Sequence, residues 1–174
     1  MNESPRRLFF GIWPDAASRQ RLAAWQRSVA WAAGARCTAE QDLHLTLHFI
    51  GDLPAATLQT LIEDTDLPGP PPLAFDIDQA LIWPGGLVVL TTRAVPAALP
   101  ELHQALAAVL LKHGVSLETR PYAPHVTMAR KAGSTWPERP EQFAVTPIRW
   151  VSRGYRLAAR SGAHYAAVAS FESA

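Results

Sequence analysis

The plainest alternation in the chain lies in residues 42–51, DLHLTLHFIG. There Leu43, Leu45, Leu47 and Phe49 interleave with His44, Thr46 and His48. A side-chain period of two sets the apolar residues on one face of a strand and the imidazoles and hydroxyl on the other. Upstream, residues 8–13 form a short aromatic and aliphatic run closed by Pro14, which fits a buried strand. Over residues 15–33, Leu22, Trp25 and Val29 recur at three- and four-residue spacing. They predict a helix with Gly34 as its stop. Pro54 followed by Leu58, Leu61 and Ile62 predicts a second short helix, ahead of the turn-rich connector DLPGPPPL.

The second half repeats this plan in degenerate form. A strand is expected at 87–92, and a helix at 97–113 striped by Leu102, Leu106, Val109 and Leu110 and stopped by Gly114. A strand follows at 125–129. The tail holds two more strand candidates, 148–157 and 165–171, with Ser161 and Gly162 in the turn between them. Strands flanking helices in both halves indicate an α+β architecture.

At 174 residues the chain suits one domain spanning 1–174, possessed of two similar lobes around a shared core. With 48% hydrophobic and 18% charged residues it is too apolar for extended disorder. A formal charge of +1 provides no global attraction to long polyanions, so any phosphate recognition must be local. Cys37 is the only cysteine, which excludes a disulfide framework and multi-cysteine metal sites and fits a reducing, cytoplasmic setting. The apolar run at 8–13 is far too short for a membrane span, and no membrane partner is expected.

Six histidines are present, and a single histidine on a strand is ordinarily a hydrogen-bonded structural residue. Pairing changes the reading. His44-Leu45-Thr46 and His125-Val126-Thr127 share one pattern, each in a predicted strand and each in one of the two similar halves. Two such units facing across a cleft would place two proton-transfer groups and two hydroxyl donors around one tetrahedral centre. Cleaving a phosphodiester without a metal needs a group to take a proton from water and another to protonate the departing alkoxide. Imidazole suits both roles near neutral pH. The threonines and a cation would hold the nonbridging oxygens.

These units, with RLFFGIWPD, HLTLHFIGD, RPYAPHVTMAR and the closing LAARSGAHYAAVASF, resemble the 2H phosphoesterase superfamily. The similarity is greatest to its RNA 2′,3′-cyclic phosphodiesterases, also named 2′-5′ RNA ligases, and covers nearly the whole chain. The resemblance implies a bilobal, pseudo-twofold fold in which two antiparallel sheets with outer helices enclose a central cleft. It also implies opening of a 2′,3′-cyclic phosphate on RNA or a nucleotide to a 2′-phosphate, with His44 as proton donor and His125 as proton acceptor. The symmetry of the motif itself leaves those two roles interchangeable. No cofactor and no metal are called for, and a monomer is expected.

Arg130 matches the arginine that commonly follows the second motif, although strict alternation would turn it away from His125. Either the strand bulges or ends after Met128, or Arg130 is a surface residue. His48, on the face of His44, is an accessory candidate for lining the cleft. Phe9 or Phe10 and Tyr122 are candidates to stack on a base, and Trp83 to wall the site.

Three competing readings use the same residues. The spacing of His44 and His48, with Asp42 and Asp52 nearby, is that of a helical zinc pair, yet the alternating leucines argue for a strand. A non-catalytic RNA- or nucleotide-binding module would keep the fold but has no need of two intact motifs. ATP-independent 2′-5′ ligation would use the same site, with a ribose 5′-hydroxyl in the place of water.

Overall fold

A computed structural model of the chain describes residues 7–65, 72–133 and 144–173. The larger of its two antiparallel sheets runs β10-β9-β1-β3-β7-β6-β5, with the short β2 paired to β7 off this path. Its members are β1 (Leu8–Ile12), β2 (Arg36–Cys37), β3 (Leu45–Gly51), β5 (Gln79–Trp83), β6 (Leu87–Thr91), β7 (His125–Arg130), β9 (Tyr155–Ser161) and β10 (His164–Phe171). The smaller sheet pairs β4 (Leu73–Ile77) with β8 (Ile148–Ser152). Three helices, α1 (Ala16–Ser28), α2 (Ala55–Asp64) and α3 (Ala98–Lys112), lie against them. Two antiparallel sheets were expected, but the division between them is uneven, and both His-x-Thr units fall in the larger one.

One continuous core joins Leu22 of α1, Leu61 of α2 and Leu106 of α3 to Phe10, Leu45, Leu90 and Val126 of the sheet. Phe9, Val89 and Ala158 are equally buried yet stand outside that core, because they lie on the sheet's opposite face. The sheet therefore has a core face and a second face on which buried apolar residues support a separate set of side chains.

Most expected elements are present with boundaries moved by a few residues. The first helix is shorter than its stripe: Val29 is extended, with φ −87° and ψ 132°. Asp15 begins that helix by accepting a hydrogen bond from the Ser18 amide at 2.8 Å. The run expected as one strand at 148–157 is two strands, broken at Gly154, whose φ of +77° favours glycine. β8 joins the small sheet and β9 the large one. β4 and β5 were not anticipated; β5 is half-buried along its whole length and so shows no alternation. Part of the proline connector, residues 66–71, lies outside the described residues.

Gln26, buried on α1, ties the helix to the middle of the sheet. Its side-chain amide donates to the carbonyls of Met128 on β7 at 2.7 Å and of Thr38 at 3.0 Å. Replacing it with leucine removes both hydrogen bonds, leaving the Met128 carbonyl only the Thr38 amide as a donor. Gln26→Leu is expected to cost about 1–3 kcal/mol, read as a lower urea midpoint with an unchanged denaturant slope.

Candidate active site

β3 and β7 are joined at a single residue pair, Leu45 opposite Val126, the central residues of the two His-x-Thr units. Both are fully buried in the core. Their neighbours in sequence therefore face the other side of the sheet. An antiparallel pair about one bridge is a local twofold: His44 falls opposite Thr127, and Thr46 opposite His125. The four polar side chains are gathered on one face, at the seam between the two halves.

Each histidine is fixed from behind by the same device. The Nδ1–H of His44 donates to the carbonyl of Asp42 at 2.6 Å, and that of His125 to the carbonyl of Ala123 at 2.8 Å, each two residues earlier. With Nδ1 committed, Nε2 is the nitrogen that gains or loses a proton. The His44 Nε2 lies 3.1 Å from the Thr46 hydroxyl. A tryptophan covers each ring: Trp13 stacks on His44 at 4.9 Å, and Trp83 lies 4.4 Å from His125. Burial pushes both imidazoles below their ordinary pKa of 6.5, and the Arg130 guanidinium pushes in the same direction.

The half-sites differ in what stands behind the ring. The Asp42 carboxylate is buried, accepting from His164 Nδ1 at 2.8 Å and from the Tyr165 amide at 3.1 Å. Its charge favours a proton on His44. His125 has Ala123 in the equivalent place and no such carboxylate. Tyr165 in turn sets its ring edge against His44 at 5.3 Å.

Strict alternation fails at matching points in both strands. Val89 pairs with Thr127 but Val88 with Ala129, leaving Met128 as an extra residue in β7. Gly11 pairs with Thr46 but Phe10 with His48, leaving Leu47 extra in β3. Each is a β-bulge immediately after the threonine, and each reverses the inward and outward phase beyond it. Leu45–Phe49 and Val126–Arg130 accordingly share one sequence of burial: buried, half-buried, buried, buried, exposed. The bulge returns Arg130 to the histidine face, near enough to affect both imidazoles.

The bulge in β3 corrects two expectations. His48 does not share the face of His44: it is 7% exposed, and its Nε2–H donates to the His103 carbonyl of α3 at 2.7 Å. Phe49, read as a core residue, is instead 61% exposed on the histidine face. It lies 6.3 Å from Phe9, whose ring is 5.0 Å from His44. His44 and His48 also cannot form a zinc pair, since they lie on opposite faces of the sheet. Among the described residues, no group of three or more histidine, cysteine or acidic side chains is placed to hold a metal.

Two aromatic candidates also lie elsewhere. Phe10 is fully buried in the core against Tyr155 and Phe171. Tyr122 stacks on His103 at 4.1 Å, and His103 on His48 at 3.9 Å, so this column packs against α3. Burial drives the Tyr122 hydroxyl pKa up, and pushes His103 down to about 4. Trp13, Phe49, Asp42 and Tyr165 were missed. Matching HLTLHF to HVTMAR position by position would have paired Phe49 with Arg130. Nothing local marks Tyr165, which reaches the site only through the pairing of β9 with β1.

Comparison with known proteins places the chain in a family. A family model described as LigT-like phosphoesterase matches residues 12–92. The RNA 2′,3′-cyclic phosphodiesterase of Escherichia coli K12 is 31% identical over 129 residues, covering 74% of this chain and 73% of the relative. An enzyme of the same name from Geobacillus stearothermophilus is 33% identical over 118 residues, 62% of this chain but 36% of that longer protein. The crystal structure of E. coli LigT with 3′-AMP superposes with a TM-score of 0.86 at 25% identity, covering 97% of this chain and 98% of that one. Among the described residues no helix is long and apolar enough to cross a membrane. By sequence and by fold alike, the chain belongs to the LigT-like phosphoesterase family.

Proposed function

We propose that this chain hydrolyses 2′,3′-cyclic phosphates on RNA ends or nucleotides to 2′-phosphomonoesters, without a metal, by two-histidine acid and base catalysis. The supporting observation is the local twofold at Leu45 and Val126. It presents two Nδ1-anchored imidazoles and two threonine hydroxyls to one point. In this reading the chain works as one domain and as a monomer, since both half-sites come from the same sheet. A reducing, cytoplasmic compartment fits its single, exposed Cys37.

His125 Nε2 takes a proton from water as the water oxygen attacks phosphorus. The bond from phosphorus to O3′ breaks as His44 Nε2 delivers its proton to the departing oxygen, leaving a 3′-hydroxyl and a 2′-phosphate. Once protonated, His44 Nε2 no longer accepts from Thr46, which releases the Thr46 hydroxyl to bind a nonbridging oxygen. Thr127 does the same from the other half, and Arg130 supplies the cation for the growing negative charge. Asp42 supports His44 as the acid: its charge favours a proton on that ring, and no carboxylate does so on His125. Phe49, backed by the buried Phe9, offers a base an apolar platform at one end of the site. Ligation without ATP is the same ring opening with a 5′-hydroxyl replacing water: its oxygen bonds to phosphorus, its proton goes to His125, and the bond to O3′ breaks as before.

Incubation with a 2′,3′-cyclic mononucleotide in EDTA should yield the 2′-phosphate at an undiminished rate. Loss of activity that zinc restores would overturn the mechanism. His44→Ala and His125→Ala should each lower kcat by about 10²–10⁴-fold with the fold intact by circular dichroism.

The pH dependence tests the assignment of roles. Burial lowers both imidazoles, so the acid limb of kcat/KM, set by the base, should lie below pH 6.5. Asp42→Asn removes a charge that holds the His44 pKa up, and should move the alkaline limb to lower pH while the acid limb stays. Movement of the acid limb instead would exchange the roles. Phe49→Ala should raise KM by roughly 5- to 100-fold with kcat retained, the range for losing one base stack.

A further inference from the structure

The bulge at Met128 brings Arg130 to the active face, and the register of β2 places a second arginine beside it. Arg36 is the direct cross-strand partner of Arg130. Directly opposed residues of an antiparallel pair project to the same face. Both are exposed. Among the described residues neither guanidinium is paired with a carboxylate; the ion pairs formed are Arg27 with Glu40, His113 with Asp64, Arg120 with Glu118, Arg149 with Asp76 and His164 with Asp42. Two like charges held directly opposite each other are destabilising on their own.

The backbone beyond this pair is also constrained. Lys131 is held at φ 58°, a left-handed conformation that a lysine rarely adopts. The adjoining Ala132 amide donates to the Gly86 carbonyl at 3.0 Å. Gly86 allows this contact because it has no side chain: a Cβ there would meet the Gly133 amide at 2.8 Å. The chain thus turns sharply after Arg130, fixing the end of β7 against the β5–β6 turn, with a cluster of cations at that end of the cleft. Local strain combined with unpaired like charge, next to a phosphate site, is the arrangement expected of an anion-binding element.

Arg130 influences both imidazoles, whereas Arg36 figures among the influences on neither. Arg36 is paired with the residue at the far end of β7 from His125. We infer that Arg36, seated beside Arg130, forms a second phosphate subsite that takes the phosphodiester on the 5′ side of the terminal nucleotide. This rests on the cyclic phosphodiesterase reading. A cyclic phosphate closes the 3′ end of an RNA, so the only further phosphates such a substrate can present lie 5′ of it. A site with this subsite favours an RNA end over a free cyclic mononucleotide.

The test compares a 2′,3′-cyclic mononucleotide with a dinucleotide ending in the same cyclic nucleotide. Wild-type enzyme should act on the dinucleotide with the higher kcat/KM. Arg36→Gln should lower that value about tenfold, leave the mononucleotide unchanged, and reduce the salt dependence for the dinucleotide by a slope of about 0.7. Arg36→Lys should restore much of the loss. A dinucleotide whose internal linkage is an uncharged methylphosphonate should behave like the mononucleotide and be indifferent to Arg36→Gln. If Arg36→Gln affects both substrates equally, or neither, or the methylphosphonate keeps the full advantage, the subsite is refuted while the hydrolase reading stands. If wild-type enzyme opens neither substrate, both fall together.

Discussion

The active face depends on one contact, the antiparallel bridge between Leu45 and Val126. It is apolar, fully buried and central to both His-x-Thr units. With those two side chains committed to the core, pleating leaves the flanking histidine and threonine of each strand no choice but the opposite face. The hydrophobic effect thus positions polar groups that could not hold one another in place. A slip of one residue in either strand would bury an imidazole and expose a leucine or valine. The register is protected by the same apolar energy that drives folding.

The bulges add what a regular strand cannot. A strict period of two would repeat the active face only at every second residue, sending Arg130 to the core and His48 to the cleft. One inserted residue in each strand shifts that phase after the threonine. Gln26 answers part of the backbone disturbance by donating to the carbonyl of Met128 itself. The cation beside the site and the exposed Phe49 are products of the same device, used once in each half.

This explains how much could be read from the sequence. The alternation of 42–51, the helical stripes and the duplicated motif are properties of neighbouring residues, and they locate the strands, the helices and the four central side chains. A bulge leaves no mark of that kind: HLTLHF reads as a perfect strand, and only pairing with β1 reveals that Leu47 is supernumerary. The face of everything beyond it, His48 and Phe49 included, was therefore misjudged. Tyr165 and the Asp42 carboxylate meet at His44 through a sheet order that joins residues more than a hundred positions apart. Such contacts depend on strand order, which local periodicity does not encode.

A symmetric frame is a poor acid and base pair unless something makes its halves unequal. Burial acts on both imidazoles in the same sense, favouring the neutral form and so the base. In the proposed mechanism the acid recovers its proton from another source. A buried carboxylate behind His44 supplies a standing bias, and a bound phosphodiester adds negative charge in front of it, where burial makes that charge count for more. Arg130 opposes this by repelling protons from both rings until the substrate's charge offsets its own. Desolvation and the guanidinium thus act together against protonation of both rings, and an anion's charge would act against them. The two halves differ at Asp42 and Ala123, two residues before each histidine, and of the two only Asp42 carries a charge that favours a proton on its ring.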